Sequence, residues 1–219
     1  MDVADFALLR PEMTYVPLAK GEPLIEPEQA IQHSWFPEEG IASVVATTPK
    51  GHQTEVGIVG CEGMVDMATL HGTDRTPHRC FIQLAGGAFR LPAATLRAAL
   101  DGSPSLRALL LAYAHSFMAQ VAGTALANAS HTVEQRLARW LLMCHDRVGG
   151  DDITMTHEFL SLMLNVRRAG VTVALNALEK AGFIDGRRGT ITIVNRATLT
   201  EFAGDAYGAP EAVYARLIG

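Results

Sequence analysis

Arg167 and Arg168 open a stretch in which Ala169, Thr172, Val173 and Asn176 recur at helical spacing, and further on Arg187 and Arg188 sit between Gly186 and Gly189. A guanidinium presents paired N–H groups to O6 and N7 of guanine, and equally to a phosphate. A Thr methyl or a Val can touch the methyl of thymine. Backbone N–H groups at a helix start also favour phosphate. These residues together suit double-stranded DNA, with bases read by one group and backbone held by the other.

Such contacts need rigid elements behind them. Thr156 is suited to cap a helix with Glu158 in its first turn, and Leu160, Met163 and Leu164 supply an inner stripe. Asn165 falls where the chain must turn and tolerates a left-handed conformation. Val166 plugs the gap between two helices. The second helix, expected over about 168–181, buries Val171, Leu175 and Leu178 and shows the arginine face outward. Gly170 inside it weakens the helix by up to about 1 kcal/mol relative to Ala, and close approach to the preceding helix is the expected compensation. Gly182-Phe183-Ile184-Asp185 and Thr190-Ile191-Thr192-Ile193-Val194 flank Gly186-Arg187-Arg188-Gly189 as a β-hairpin with a basic tip. Two helices joined by a tight turn and followed by that hairpin read as a winged helix-turn-helix.

The net charge of −5 on 219 residues hides this feature. Residues 1–130 hold 8 Lys/Arg against 13 Asp/Glu, whereas positions 167–196 hold six cations against two acids. A local basic patch says more than the overall balance, because phosphate contacts are local. The composition, 48% hydrophobic and 19% charged with 20 Gly and 10 Pro, excludes collagenous and disordered chains. Three widely spaced cysteines imply no secreted disulfide framework, and no CxxC, HxH or HExxH occurs. The acidic start Met1-Asp2-Val3-Ala4-Asp5 is unlike a signal peptide, so a cytoplasmic protein is expected.

Ahead of the helices, apolar and β-branched runs at 15–18, 41–46, 55–59, 80–84 and 88–91 alternate with turn signals at 37–40, 49–51 and 86–87. Short strands at such intervals predict a jelly roll or sandwich. After a short helix at 93–100, Ser103-Pro104 start a long one reaching about Asn128, with Leu106, Leu110, Tyr113, Phe117, Val121 and Thr124 on one seam near period 3.5. No charged residue occurs between Ala108 and Val133, yet Gln120, Asn128 and several Ser, Thr and His residues make this a poor membrane span. A helix buried by its own β-domain and by a second copy of itself fits better. Another helix is expected from His131 to about Arg147, with Val133, Leu137, Trp140, Leu141 and Cys144 inside. The expected architecture is therefore α+β: a β-domain over 1–102, a dimerisation helix over 103–130 and a DNA-binding domain over 131–219.

This order, with the stretch from Thr156 to Ile184 as its most specific part, resembles the cyclic-AMP receptor protein/fumarate-nitrate regulator (Crp/Fnr) family of bacterial transcription factors over nearly the whole chain. The resemblance implies a homodimer zipped through the long helix, one recognition helix per half-site of a palindrome, and a cyclic-nucleotide-binding-like N-terminal sensor domain. It implies no enzymatic role, and it makes RNA polymerase a candidate further partner. By the same resemblance Arg168 takes a base-contacting position and Arg167 the helix cap, with Thr172 and Val173 where the family usually has a charged or polar reader.

The sensor departs from the family pattern. Members that bind cyclic nucleotides carry a Gly-Glu pair for the ribose and an Arg-Ser/Thr pair for the phosphate. Here those regions read Gly60-Cys61-Glu62-Gly63-Met64 and Asp74-Arg75-Thr76-Pro77-His78. Counting back from Leu91, Thr76-Pro77 fall on the phosphate pair, Arg75-Thr76 match only with a one-residue shift, and Pro77 has no N–H to donate. The candidate effector residues are Glu62, Gly63, Met64, Arg75, Thr76 and His78, the effector itself is unassigned, and a cyclic nucleotide fits poorly. His71, His78 and Cys80 lie close enough in sequence to suggest haem or metal, although a buried Cys is more often core. The competing reading is a cupin-like small-molecule or metal-binding β-domain with an accessory helical part, and it lacks the HxH pair such metal sites use.

Overall fold

The computed structural model describes residues 1–187 and 189–219; Arg188 lies outside the described residues. The chain begins with α1 (Val3–Leu9), followed by β1 (Thr14–Leu18), β2 (Pro23–Ile25), β3 (His33–Thr47), β4 (Gln53–Val59), α2 (Met67–Leu70) and β5 (Arg79–Pro92). These strands form one antiparallel sheet in the order β1-β5-β3-β4, with β2 also on β5. Then come α3 (Ala93–Gly102), α4 (Pro104–Ser130) and α5 (Val133–His145). The last third holds β6 (Asp152–Thr154), α6 (His157–Leu164), α7 (Arg168–Lys180), β7 (Ile184–Arg187), β8 (Thr190–Ile193), α8 (Arg196–Ala203) and α9 (Ala209–Leu217). The result is an α+β chain: a rolled sheet, a long helix, then a helix-turn-helix with its wing.

Two of the expected turns are not turns. The runs around 37–40 and 86–87 lie inside β3 and β5, which pair along nearly their whole length with irregular register at Pro37, Glu39 and Ile41. Bulges bend a strand without ending it, so two long strands roll where several short ones were expected. Glycine makes the close approach possible. Gly40 has φ +80°, and a Cβ there would lie 2.4 Å from the Leu84 carbonyl oxygen; a Cβ on Gly86 would lie 2.2 Å from that of Glu39.

The long helix follows its start signal. The Ser103 hydroxyl accepts from the Leu106 N–H at 3.2 Å and donates to Asp5 at 2.6 Å, so the cap also pins α1. The expected seam is the inner face of the helix, with Phe117, Val121 and Thr124 half-buried. Leu106, Leu110 and Tyr113 are buried with Leu9 of α1, Leu96 and Leu100 of α3 and Leu91 of β5, and Phe117 packs against the core of the roll. The apolar residues left outside are Ala108, Leu111, Met118, Ala122, Ala125, Leu126 and Ala129. By length and composition α4 is able to cross a membrane, but Gln120 is tied to β4, its Oε1 accepting from the Ile58 N–H at 2.7 Å and its Nε2 donating to the Ile58 carbonyl at 3.2 Å.

Gly40→Ala tests the rolled-strand geometry. Strained φ and a clash with backbone together should lower stability by about 3 kcal/mol or more in urea denaturation. A loss below about 1 kcal/mol would mean that the bend relaxes without glycine.

Candidate nucleic-acid interface

α6 and α7 form as the caps and apolar spacing dictate. The Thr156 hydroxyl accepts from the Phe159 N–H at 3.4 Å, and Asn165 ends α6 with φ +50° and ψ +48°, the left-handed turn its side chain tolerates. Arg136 of α5 donates to the Leu164 carbonyl and Ser161 to that of Val166, which fixes the turn from both sides. Arg167 is the N-cap of α7. Val171, Ala174, Leu175 and Leu178 point into the core. Gly170 is no close-approach residue: an added Cβ would meet only Val166 at 3.8 Å, an ordinary contact, so the expected packing reason is withdrawn.

The opposite face of α7 is open. Arg167, Arg168, Ala169, Thr172, Val173 and Asn176 are all exposed, Val173 by 62%. The Thr172 hydroxyl donates to the Arg168 carbonyl at 3.2 Å and lies 3.3 Å from Nδ1 of His157. β7 and β8 form the expected hairpin, with β6 as a third strand on β8. Arg168 and Asn176 of α7, Arg187 and Thr190 of the hairpin, and His157 of α6 line one groove of about 330 Å³. Arg187 is 82% exposed and paired with Asp185 at 2.7 Å, a solvated contact that an incoming phosphate can replace at little cost. Arg196, counted in the basic patch by sequence, belongs elsewhere: it bonds Asp146 at 2.6 Å and the Tyr207 hydroxyl at 2.8 Å.

The six effector candidates separate into two places. Met64, Arg75, Thr76 and His78 line a cavity of about 580 Å³ between the roll and α4. Glu62 and Gly63 do not. The Glu62 carboxylate accepts from Arg147 Nε at 2.7 Å, and Gly63 packs so tightly on the Tyr113 ring that a Cβ would lie 1.9 Å from it. Burial alone would lower the Arg147 pKa, but Glu62 outweighs it and holds the guanidinium above its ordinary value. His71, His78 and Cys80 all reach the cavity wall, yet no group of three potential ligands capable of holding a metal ion occurs among the described residues. The Cys80 thiol is pushed up to about 12 by burial, as expected of a core residue.

Sequence reasoning missed the joint between the halves. Glu55 on β4 is buried; it accepts from the Ser43 hydroxyl at 2.6 Å and from Trp140 Nε1 of α5 at 2.8 Å. Burial raises its pKa to about 7, against the pull of those two hydrogen bonds and of Arg139 and Arg147. Arg139, also buried, donates to the Gln120 carbonyl at 3.3 Å. The available signal was a lone carboxylate in the apolar strand 55–59.

Residues 135–202 match the Crp-like helix-turn-helix domain. No curated protein matches the sequence. Among solved structures, FixK2 from Bradyrhizobium japonicum superposes with a TM-score of 0.74 at 14% identity, covering 87% of this chain and 96% of that one. A Crp/Fnr-family transcriptional regulator from Eubacterium rectale gives 0.68 at 16% identity, covering 93% and 95%. A CRP-family transcriptional regulator from Thermus thermophilus gives 0.68 at 21% identity, covering 86% and 96%. The shared feature at these identities is the fold.

A pH dependence follows from Glu55. Its native pKa of about 7 lies above the ordinary 4.5, so the native state keeps a proton that the unfolded chain releases between those values. Stability should therefore fall as pH rises through that window, by about 3 kcal/mol in all. Urea denaturation at pH 5 and pH 8 should show this slope, and Glu55→Gln should remove most of it. An unchanged slope in the variant would assign it to other groups.

Proposed function

We propose, for a chain that by its fold and its helix-turn-helix is a Crp/Fnr-type transcription regulator, that it acts in the cytoplasm as a homodimer on a palindromic operator. The reading rests chiefly on one observation: the open face of α7 and the side of the hairpin form a single groove holding Arg168, Asn176 and Arg187. Arg168, with Thr172, Val173 and Asn176, reads base edges in the major groove; Ala169 allows close approach to a thymine methyl. Arg167 at the helix cap and Arg187 and Arg188 on the wing hold phosphates. RNA polymerase is a further partner of such a regulator, and no catalytic step is assigned.

The outer stripe of α4 supports the dimer. Leu111, Met118, Ala122 and Ala125 fall on the a and d positions of one heptad frame, with His115 and Ala129 filling the gaps. Leu111 is 41% and Met118 59% exposed in the single chain, and two copies of this stripe would cover both. Half-site centres should then lie about 34 Å apart along the DNA.

Arg168→Ala should cost about 1–3 kcal/mol on the specific site and relax preference at one base step. Equal losses on specific and random DNA would remove it from base reading. Changing Arg187 and Arg188 together to Ala should weaken all sequences alike and reduce the salt slope by about one per lost phosphate contact; an unchanged slope contradicts the wing assignment. Leu111→Glu should shift the light-scattering mass from two chains towards one and weaken binding to the full palindrome. A mass unchanged from that of the unsubstituted protein would place the dimer contact elsewhere.

A further inference from the structure

We propose that the cavity between the roll and α4 binds a carboxylic acid with an apolar body, seated with its carboxylate at the lip formed by residues 73–78. The regulatory meaning of such a ligand rests on the function proposed above; its binding does not.

The cavity holds about 580 Å³, within the range of small-molecule sites and far beyond the voids that packed interiors tolerate. Its deep walls are Ile31, Val44, Val59, Met64 and Val65 from the roll and Val121 from α4. A surface of this kind gains nothing from holding water, which needs polar partners, and is well matched by an alkyl chain or aromatic ring.

The exposed or half-buried segment 73–78 brings Thr73, Arg75, Thr76 and His78 to the cavity. Arg75 uses one N–H on the Glu28 carbonyl at 3.3 Å, which anchors the guanidinium, and stands 3.6 Å from Asp74. The Thr76 hydroxyl accepts from the His78 N–H at 3.3 Å and so keeps its own proton to donate. The Arg75 side chain is 58% exposed. An anion seated there stays partly hydrated and avoids the cost of full burial.

The same walls are unsuited to a nucleotide. The charged side chain buried in the wall is an acid, Asp66, whose carboxylate accepts from the Ser34 hydroxyl at 2.7 Å and from the Thr69 N–H at 3.0 Å. A phosphate carried inside would meet like charge with no buried cation to offset it. Glu62, the ribose partner by family resemblance, is held by Arg147 outside the cavity. Met118, Ala122 and Ala125, residues of the proposed dimer stripe, also line the cavity, so an occupant touches the helix proposed to join the two copies.

Isothermal titration of the full chain with decanoate and with 2-naphthoate tests this. The controls are decanol, 2-naphthalenemethanol and cyclic AMP. At least one acid should bind once per chain, about tenfold or more tighter than its alcohol, the factor expected of a charge-assisted hydrogen bond. Arg75→Gln, a change at an exposed side chain, should shrink that preference to within about threefold. Val121→Trp from α4 and, independently, Val44→Trp from the roll should fill the cavity and abolish binding while thermal unfolding remains cooperative. Binding of neither acid, alcohols that bind as well as acids, tighter binding of cyclic AMP, or acids that still bind to both Trp variants would each overturn the proposal. Operator binding by the unliganded protein in a gel shift is scored separately, so a regulator without this ligand is distinguishable from a ligand-binding protein that is no regulator.

Discussion

A carboxyl group that cannot reach water sets the relation between the two halves of this chain. Glu55 projects from β4 into an interface closed by Ser43 on one side and the Trp140 indole on the other. A buried acid is tolerable only where donors meet it, so Trp140, and with it α5, has one acceptable position over the sheet. The apolar contacts agree with that position. Ile41, Val45, Ile58, Phe81 and Leu84 of the roll belong to the same core as Trp140, Leu160, Met163 and Val171. The helix-turn-helix is therefore packed directly on the sheet, and α7 inherits its orientation from that packing.

Two further ties act in parallel. Gln120 bonds both backbone groups of Ile58 and offers its own carbonyl to Arg139, linking β4, α4 and α5 in one chain of contacts. Glu62 holds Arg147, and its carbonyl accepts from the Tyr214 hydroxyl of α9 at 3.0 Å. α9 also lies along α4, where Gly123 leaves room for Pro210. Each tie joins a residue of the roll or of α4 to one beyond residue 131. Breaking one leaves a buried or half-buried polar group unpaired, which is costlier than the bond's net contribution when made.

Local elements were legible because their determinants are local. Ser103, Thr156 and Asn165 mark helix ends through hydrogen bonds or dihedrals within a few residues, and the spacing of Val171, Leu175 and Leu178 fixes which face of α7 is hidden. That is why the candidate reading face was visible residue by residue. The long strands were not, since Gly40 and Gly86 read as turn glycines until the partner strand shows that each makes room for the other's neighbour. Glu62 was misplaced for a related reason: its partner lies 85 positions away and nothing nearby in sequence announces it. The charge of Arg196 was visible but its commitment to Asp146 and Tyr207 was not. The helices beyond residue 195 pack on α5 and α4 without any motif of their own.

α4 serves all of these demands at once. Its inner face packs on the rest of the chain, Gln120 carries the tie to β4 and α5, Met118 and Val121 line a cavity, and Leu111, Met118 and Leu126 stand exposed on its outer side. A helix fixed on one side by hydrogen bonds and on another by apolar packing moves as a unit, because cores do not deform continuously. Occupancy of the cavity can then influence α7 only if the occupant favours one placement of α4 over another, and by no more than that difference in affinity. The polar ties decide how such a shift is divided. Gln120 ties α5 to α4, whereas Glu55 ties α5, and Glu62 the turn just after it, to the roll, so a shift of α4 against the roll sets these bonds in competition for α5 and, through it, for the placement of α7.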